Sequence, residues 1–87
     1  MLKVTTTEQV LRAALAQAAG TGVDTLPEDG HLEQDLGIDS LALAELVTNL
    51  EQALAIVIPD EDTGRLTTIS HLRALLAGLV PTEMDER

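Results

Sequence analysis

The stretch from residue 40 to residue 55 reads Ser-Leu-Ala-Leu-Ala-Glu-Leu-Val-Thr-Asn-Leu-Glu-Gln-Ala-Leu-Ala. Its large apolar side chains recur every three or four residues, as they do along one face of an α-helix. The stretch therefore predicts an amphipathic helix, the second helix of the chain. Its inward stripe is predicted to contain Leu43, Leu46, Val47, Leu50 and Leu54, and its outward face Glu45, Thr48, Glu51 and Gln52.

Two further long helices are predicted, one on each side of this stretch. Thr5 and Glu8 have the spacing of a capping box, so a first helix is predicted over about residues 6–19, ending before Gly20. Thr68 is predicted to cap a last helix that closes near Gly78 and Pro81. The inward stripe of that helix is predicted to be Ile69, Leu72, Leu75, Leu76 and Leu79.

A long connection, residues 21–39, separates the first and second helices. Loops of this length are uncommon in compact domains and are usually functional. A short helical turn is predicted around Pro27–Asp29. The apolar residues expected to hold the loop against the helices are Val23, Leu26, Leu32 and Leu36.

A shorter connection follows the second helix. Residues 56–58, Ile-Val-Ile, are interpreted as a buried connector that leads into Pro59. Three acids come next, and anions are favourable in the first turn of a helix. A short third helix is therefore predicted over Asp60, Glu61 and Asp62, ended by Gly64.

The composition agrees with an all-α fold. Hydrophobic residues make up 45% of the 87 residues, mostly Leu and Ala, with no Phe, Tyr, Trp or Cys. Leu and Ala favour helices, whereas strands prefer β-branched and aromatic residues. We predict a small four-helix bundle with three longer helices, a short third helix and a long loop between the first two. Residues 1–87 are expected to form one domain, with a core at about 5–80 and a frayed tail at 81–87.

Composition and charge exclude several classes of function. The formal charge of −10 and the absence of aromatic side chains argue against nucleic acid as a partner. No apolar run is long enough to span a membrane, and no signal segment opens the chain. Without Cys there is no thiolate metal site and no cysteine nucleophile. We expect a cytoplasmic monomer.

Acids are concentrated in the middle of the chain. Residues 13–64 contain eleven Asp or Glu residues and no Lys or Arg. Such a face is either a solvated surface or a surface that steers basic partners. An apparent calcium loop at residues 60–64 is rejected, because its Gly is one position early and its twelfth residue is His71 instead of Glu. No metal site is predicted.

Ser40 begins the second helix, directly after a loop that contains Gly37. A serine there is first of all an N-cap. As a hydrolase nucleophile it would need a base, for which His31 and His71 are the only candidates, and the Gly-x-Ser-x-Gly elbow is absent. An attachment point is the better functional interpretation. A phosphodiester on Ser40 would lie at the positive end of the helix, beside free backbone N–H groups.

Two blocks of the sequence resemble the acyl carrier protein family. Residues 35–41, Asp-Leu-Gly-Ile-Asp-Ser-Leu, followed by Glu-Leu-Val at 45–47, are similar to the prosthetic-group site of that family. The likeness continues in register through residues 58–62, Ile-Pro-Asp-Glu-Asp, and 66–69, Leu-Thr-Thr-Ile. It covers about residues 32–79.

The resemblance implies that Ser40, flanked by Gly37, Asp39 and Leu41, carries 4′-phosphopantetheine. A phosphopantetheinyl transferase would supply the group from coenzyme A, and its thiol would bear acyl groups as thioesters. The chain would thus be a carrier without catalytic residues. Its partners would be the transferase and acyl-processing enzymes, such as acyltransferases and ketosynthases, with basic docking patches. By resemblance, the docking face would contain Asp39, Leu41, Glu45, Thr48, Glu51, Asp60, Glu61 and Asp62.

The second helix departs from the fatty-acid type at Ala42, Ala44, Gln52 and Leu54. It is less acidic than that type, which argues against a primary fatty-acid synthase as partner. The Ala-rich helices with Thr and Arg resemble those of carriers in polyketide or other secondary pathways. The alternatives are a carrier of amino-acid or primary fatty-acid intermediates, an acidic interaction module without a prosthetic group, and a serine hydrolase. Aliphatic cargo is expected to slip between this helix and its connector, against Ala44, Ala53, Leu54, Val57 and Ile58.

Overall fold

The structure is a computed structural model that describes residues 6–80. Four α-helices occur in this range: α1 at Thr7–Ala19, α2 at Ser40–Leu54, α3 at Asp60–Thr63 and α4 at Ile69–Leu79. One 3-10 helix, Val23–Thr25, lies in the long loop. The predicted all-α bundle, with three longer helices and one short one, is confirmed. The tail assigned to residues 81–87 lies outside the described residues.

The start of α1 is capped one residue later than predicted. The Thr6 hydroxyl accepts the backbone N–H of Gln9 at 3.1 Å, and the Gln9 side chain accepts the N–H of Thr6 at 2.9 Å. Gln serves in a capping box as well as Glu does, so the pair predicted at Thr5 and Glu8 was wrong. Glu8 is instead bonded to Arg73 of α4, at 2.9 and 3.0 Å.

Leucines from three helices form the centre of the core. Leu11 and Leu15 of α1, Leu46 and Leu50 of α2, and Leu72 and Leu76 of α4 are at most 1% exposed. The predicted stripe of α2 is therefore buried, except at Leu43, which is half-buried near the helix start. No helix within residues 6–80 is long and apolar enough to cross a membrane.

The connector after α2 was predicted to be buried, but only part of it is. Ile58 is buried and Ile56 is half-buried, but Val57 is 77% exposed. The Glu51 carboxylate accepts the backbone N–H of Ile58 at 2.7 Å. This bond fixes Ile58 toward the core, and in an extended segment the preceding side chain then points to the opposite side.

The long loop differs from the prediction in two details. Its helical turn lies at Val23–Thr25 rather than at Pro27–Asp29, and Val23 is 44% exposed rather than packed. Leu26 and Leu32 are buried as expected, and Leu36 is half-buried. The Arg12 guanidinium holds the turn from α1 by donating to the carbonyls of Val23 and Leu26.

The second half of the loop is joined to the start of α4. Leu32 donates to the Thr67 carbonyl at 2.8 Å, and Ile69 donates to the Gly30 carbonyl at 3.0 Å, so that His31 and Thr68 form an isolated antiparallel bridge. The Asp29 carboxylate accepts the N–H of Ser70 at 2.9 Å. Hydrogen bonds from Ser70 hold the pKa of Asp29 below its ordinary value.

Candidate functional site

The segment before Ser40 is a tight turn that ends at Gly37. Within it, the Gly37 N–H donates to the Glu33 carbonyl at 3.0 Å. Gly37 has a φ of 73°, in the left-handed region that glycine adopts without steric cost. The next residue, Ile38, is 2% exposed and donates to the Leu32 carbonyl at 2.9 Å. Gly37 thus reverses the chain, and Ile38 anchors it directly before α2.

Asp39, not Ser40, is the N-cap of α2. The Asp39 carboxylate accepts the backbone N–H of Ala42 at 2.9 Å, while Asp39 itself has extended backbone angles. The prediction that Ser40 caps the helix was therefore wrong. Asp is as good an N-cap as Ser, and it stands one position earlier. Ser40 is the first residue of the helix, exposed, and its hydroxyl has no hydrogen-bond partner among residues 6–80.

The start of α2 also offers free backbone donors. Among the described residues, the N–H groups of Ser40 and Leu41 have no acceptor, whereas those of Ala42 and Leu43 bond to Asp39. Unpaired N–H groups and the helix dipole favour an anion at this end of a helix. An exposed hydroxyl beside two such donors fits a phosphate ester on Ser40.

A groove of about 450 Å³ opens beside Ser40. One wall comes from the start of α2, the second from the loop before it, and the third from the residues that join α3 to α4. Its lining is His31, Leu32, Glu33, Gln34, Ile38, Asp39, Ser40, Leu43, Thr63, Gly64, Leu66 and Thr67. The groove is therefore lined by both apolar and polar residues.

The groove does not coincide with the apolar lining predicted for cargo. Leu54 and Ile58 are buried, but Ala44, Ala53 and Val57 are exposed, so these five residues do not assemble one pocket wall. Alternating side chains in the connector send Val57 outward, which the sequence pattern did not indicate. A second, more open groove of about 370 Å³ lies on α2 and is lined by Ala44, Glu45, Thr48 and Asn49.

Most residues assigned to the docking face are exposed. Leu41 is 70% exposed, and Glu45 and Thr48 follow it at positions that share one side of α2. Asp39, Asp60 and Glu61 are also exposed, while Asp62 is half-buried. Glu51 is half-buried, and its carboxylate holds the Ile58 N–H, so this acid has a structural role that sequence reasoning missed.

Two of the three cations described in residues 6–80 are engaged with partners outside α2. Arg73 forms an ion pair with Glu8, and Arg12 donates to carbonyls of the loop. The hydrogen bond from Arg73 holds the pKa of Glu8 below its ordinary value of 4.5. The third described cation, Arg65, follows α3. The N-cap of α2, Asp39, and Glu45 on its outward face are therefore acids without a neutralising ion pair in this part of the chain.

Neither a metal site nor a serine–histidine pair forms in the described range. No group of three or more His, Asp or Glu side chains within residues 6–80 has a geometry that could hold a metal ion. His31 lines the same groove as Ser40, yet no hydrogen bond joins the Ser40 hydroxyl to either histidine of that range. The geometry favours a free hydroxyl over an activated nucleophile.

Comparison with known proteins decides the family. Residues 9–76 match the family described as "Phosphopantetheine attachment site". The chain belongs to this family. Over 58 residues it is also 43% identical to an acyl carrier protein of Streptomyces coelicolor, an alignment that covers 67% of this chain and 63% of that protein. The chain therefore spans less than two thirds of the length of the relative it matches.

Membership in the phosphopantetheine attachment-site family confirms the resemblance to acyl carrier proteins. It also confirms 4′-phosphopantetheine as the covalently attached cofactor. Two features of the site were missed: the cap at Asp39 and the position of His31 on the groove. The first had a signal in sequence, an Asp three residues before Ala42. The second depends on the bridge to Thr68, which no local pattern indicates.

Proposed function

We propose that this chain is an acyl carrier whose Ser40 hydroxyl bears the 4′-phosphopantetheine arm. The observation that carries the proposal is the cap at Asp39, which leaves Ser40 exposed at the first position of α2 with a free hydroxyl. In the transfer, the Ser40 oxygen forms a bond to the β-phosphorus of coenzyme A. Adenosine 3′,5′-bisphosphate departs, and a base on the transferase takes the proton.

The chain's own residues position the modified serine. Ile38 and Gly37 fix the end of the loop, and Asp39 satisfies the N–H of Ala42. The unpaired N–H groups of Ser40 and Leu41, at the positive end of α2, support a phosphodiester charge on Ser40. When attached, the arm supplies a thiol on which acyl groups are held as thioesters. The protein supplies orientation and recognition.

The docking face is proposed to contain Asp39, Leu41, Glu45, Thr48, Glu51, Asp60, Glu61 and Asp62. Exposed acids beside the apolar Leu41 support a partner surface with an apolar pocket and a basic rim. The proposed partners are the phosphopantetheinyl transferase and enzymes such as acyltransferases and ketosynthases. The transferase takes the arm from coenzyme A, and the acyl-processing enzymes take the acyl groups from its thioesters. We therefore expect the chain to act in the cytoplasm.

Polyketide or another secondary pathway is proposed as the context. The support is the outward face of α2, where Ala44 and Gln52 are exposed in place of acids. Primary fatty-acid or amino-acid intermediates are the alternative cargoes. Holo protein loaded with a malonyl group would be offered separately to a polyketide ketosynthase and a fatty-acid ketosynthase. Faster decarboxylative condensation by the first supports the proposal, and faster condensation by the second contradicts it.

The attachment itself is tested by intact mass. Apo protein is incubated with coenzyme A and a promiscuous phosphopantetheinyl transferase, and we expect a mass increase of one phosphopantetheinyl group. Ser40→Ala should show none. The matched control is Ser70→Ala, since Ser70 is the other serine of the chain and lies at the start of α4. An unmodified wild type, or equal modification of Ser40→Ala, would overturn the proposal.

A further inference from the structure

His31 lines the same groove as Ser40, although the two are 9 positions apart in sequence. It is exposed, and within residues 6–80 its imidazole makes no hydrogen bond or ion pair. Ordinary surface histidines are common. What distinguishes this one is that it lines the same groove as Ser40, the residue proposed to bear the arm.

The backbone of His31 is held in place from two sides. Its N–H donates to the Asp35 carboxylate at 2.7 Å, and its carbonyl accepts the N–H groups of Asp35 and Leu36 at 3.0 and 3.2 Å. The bridge to Thr68 ties the same residue to the start of α4. The imidazole is therefore unpaired while its backbone is held in place. A contact made by this side chain requires little further loss of backbone entropy.

The chemistry of the groove favours a donor at this position. When ionised, the Glu33 and Asp39 carboxylates of the lining can only accept hydrogen bonds, and Leu32, Ile38, Leu43 and Leu66 are apolar. Neutral donors are present at Gln34, Thr63 and Thr67. Imidazole carries at least one N–H in either protonation state. A phosphopantetheine arm presents phosphate, hydroxyl and amide oxygens, all of which accept hydrogen bonds. Among the lining residues, His31 is also the only one that can carry a positive charge.

We propose that His31 is a contact residue for the arm, donating an imidazole N–H to one of its oxygens while the arm lies along the groove. This inference rests on the proposed attachment to Ser40. It concerns the resting carrier between partners, because a docked enzyme would draw the arm out of the groove. His31 is then a positioning residue that gives the arm a preferred path over the loop side of α2.

The test is nuclear magnetic resonance of isotopically labelled apo and holo protein, with His71 as internal control. His71 is exposed on α4 and does not line the groove. In the holo protein we expect changed ring signals of His31 and nuclear Overhauser effects between its ring protons and the unlabelled arm, with His71 unchanged. Ring signals of His31 that are identical in apo and holo protein would overturn the inference.

Two variants separate a contact from a structural role. In His31→Leu the arm signals should move to the values of free phosphopantetheine, and in His31→Gln, which keeps an N–H donor, they should stay close to wild type. Arm signals in His31→Leu that equal those of wild type would overturn the inference. The intact mass of each sample reports whether the arm is attached, so a failure of the contact is distinguished from a failure of the attachment.

Discussion

The Asp39 carboxylate accepts the N–H of Ala42 at 2.9 Å, and this bond relieves the neighbouring Ser40 of capping α2. Two adjacent residues therefore have separate roles. Asp39 stabilises the helix start, and Ser40 keeps its hydroxyl for chemistry. A capping serine would have its oxygen engaged with the backbone, and modifying it would weaken the helix.

This division predicts different effects on stability for the two residues. Asp39→Ala should lower the free energy of unfolding by about 1 kcal/mol, the usual effect of losing an N-cap. Ser40→Ala should change it by less than about 0.5 kcal/mol, as for other exposed substitutions. Asp39→Asn is the control, since Asn also caps and should restore most of the loss. Urea denaturation of the apo proteins measures all three, and equal losses for Asp39→Ala and Ser40→Ala would contradict the assignment.

Glu51 is predicted to act on stability more than on docking. Its carboxylate accepts the backbone N–H of the buried Ile58 at 2.7 Å, and Glu51→Ala leaves that donor without a partner. We expect a loss of about 1–2 kcal/mol, typical of a charge-assisted hydrogen bond. Gln52→Ala is the matched control on an exposed neighbour and should stay within about 0.5 kcal/mol of wild type. A Glu51→Ala protein as stable as the control would show that the bond contributes nothing.

Docking is better tested at Glu45, which is exposed on the outward face of α2. Glu45→Lys should lower kcat/KM for arm transfer about five- to tenfold at low ionic strength, because it places a cation opposite a basic partner. The difference should shrink as salt is added. Glu28→Lys is the control, an equal charge change in the loop before α2. Equal effects of both variants would indicate that only net charge matters.

Ala55 occupies a position that favours glycine. It ends α2 with a φ of 56° and a ψ of 48°, in the left-handed region. Ala55→Gly should raise the free energy of unfolding by about 0.5–1 kcal/mol, the relief of backbone strain less the added entropy of the unfolded chain. Ala53→Gly, in the same helix but with helical backbone, should lower it by about 1 kcal/mol. Thermal denaturation compares the two, and a destabilised Ala55→Gly would contradict the prediction.

The ion pair between α1 and α4 predicts a dependence of stability on pH. The hydrogen bond from Arg73 holds the pKa of Glu8 below 4.5, so the folded state binds this proton less readily than the unfolded state does. The stabilisation is present above pH 4.5 and is lost as the pH falls through the lowered pKa. Because both side chains are well exposed, we expect about 0.2–1 kcal/mol at neutral pH. A double-mutant cycle of Glu8→Gln and Arg73→Leu measures the coupling free energy of the ion pair. A coupling that persists at a pH below the lowered pKa of Glu8 would contradict the ion pair as its cause.

Helical periodicity was sufficient to predict the architecture, because the apolar stripes at Leu46, Leu50, Leu72 and Leu76 repeat at the period of a helix. The conformation of the irregular segments was harder to predict from the sequence. Val57 was placed in the core since its neighbours are apolar, yet the bond from Glu51 sets an alternation that exposes it. In the long loop, the turn at Val23–Thr25 combines local hydrogen bonds to Gly22 with a contact from Arg12, which lies in another element.

The candidate site was predictable in composition but not in detail. The Gly37 and Ser40 positions follow from the motif, and the exposure of Ser40 agrees with it. Which residue caps α2 was missed because Asp and Ser are equally good caps at adjacent positions. The position of His31 on the groove was not predicted, since it depends on a bridge to Thr68, 37 residues further along the chain.

The most direct test of the central claim is fragmentation mass spectrometry of the protein purified from its own host. The peptide that contains residue 40 should carry one phosphopantetheinyl group, localised to Ser40, with any acyl cargo retained on the thiol. A group found on another residue, while the peptide with residue 40 is unmodified, would contradict the account. The mass of the cargo would at the same time distinguish a polyketide intermediate from a fatty-acyl or aminoacyl group.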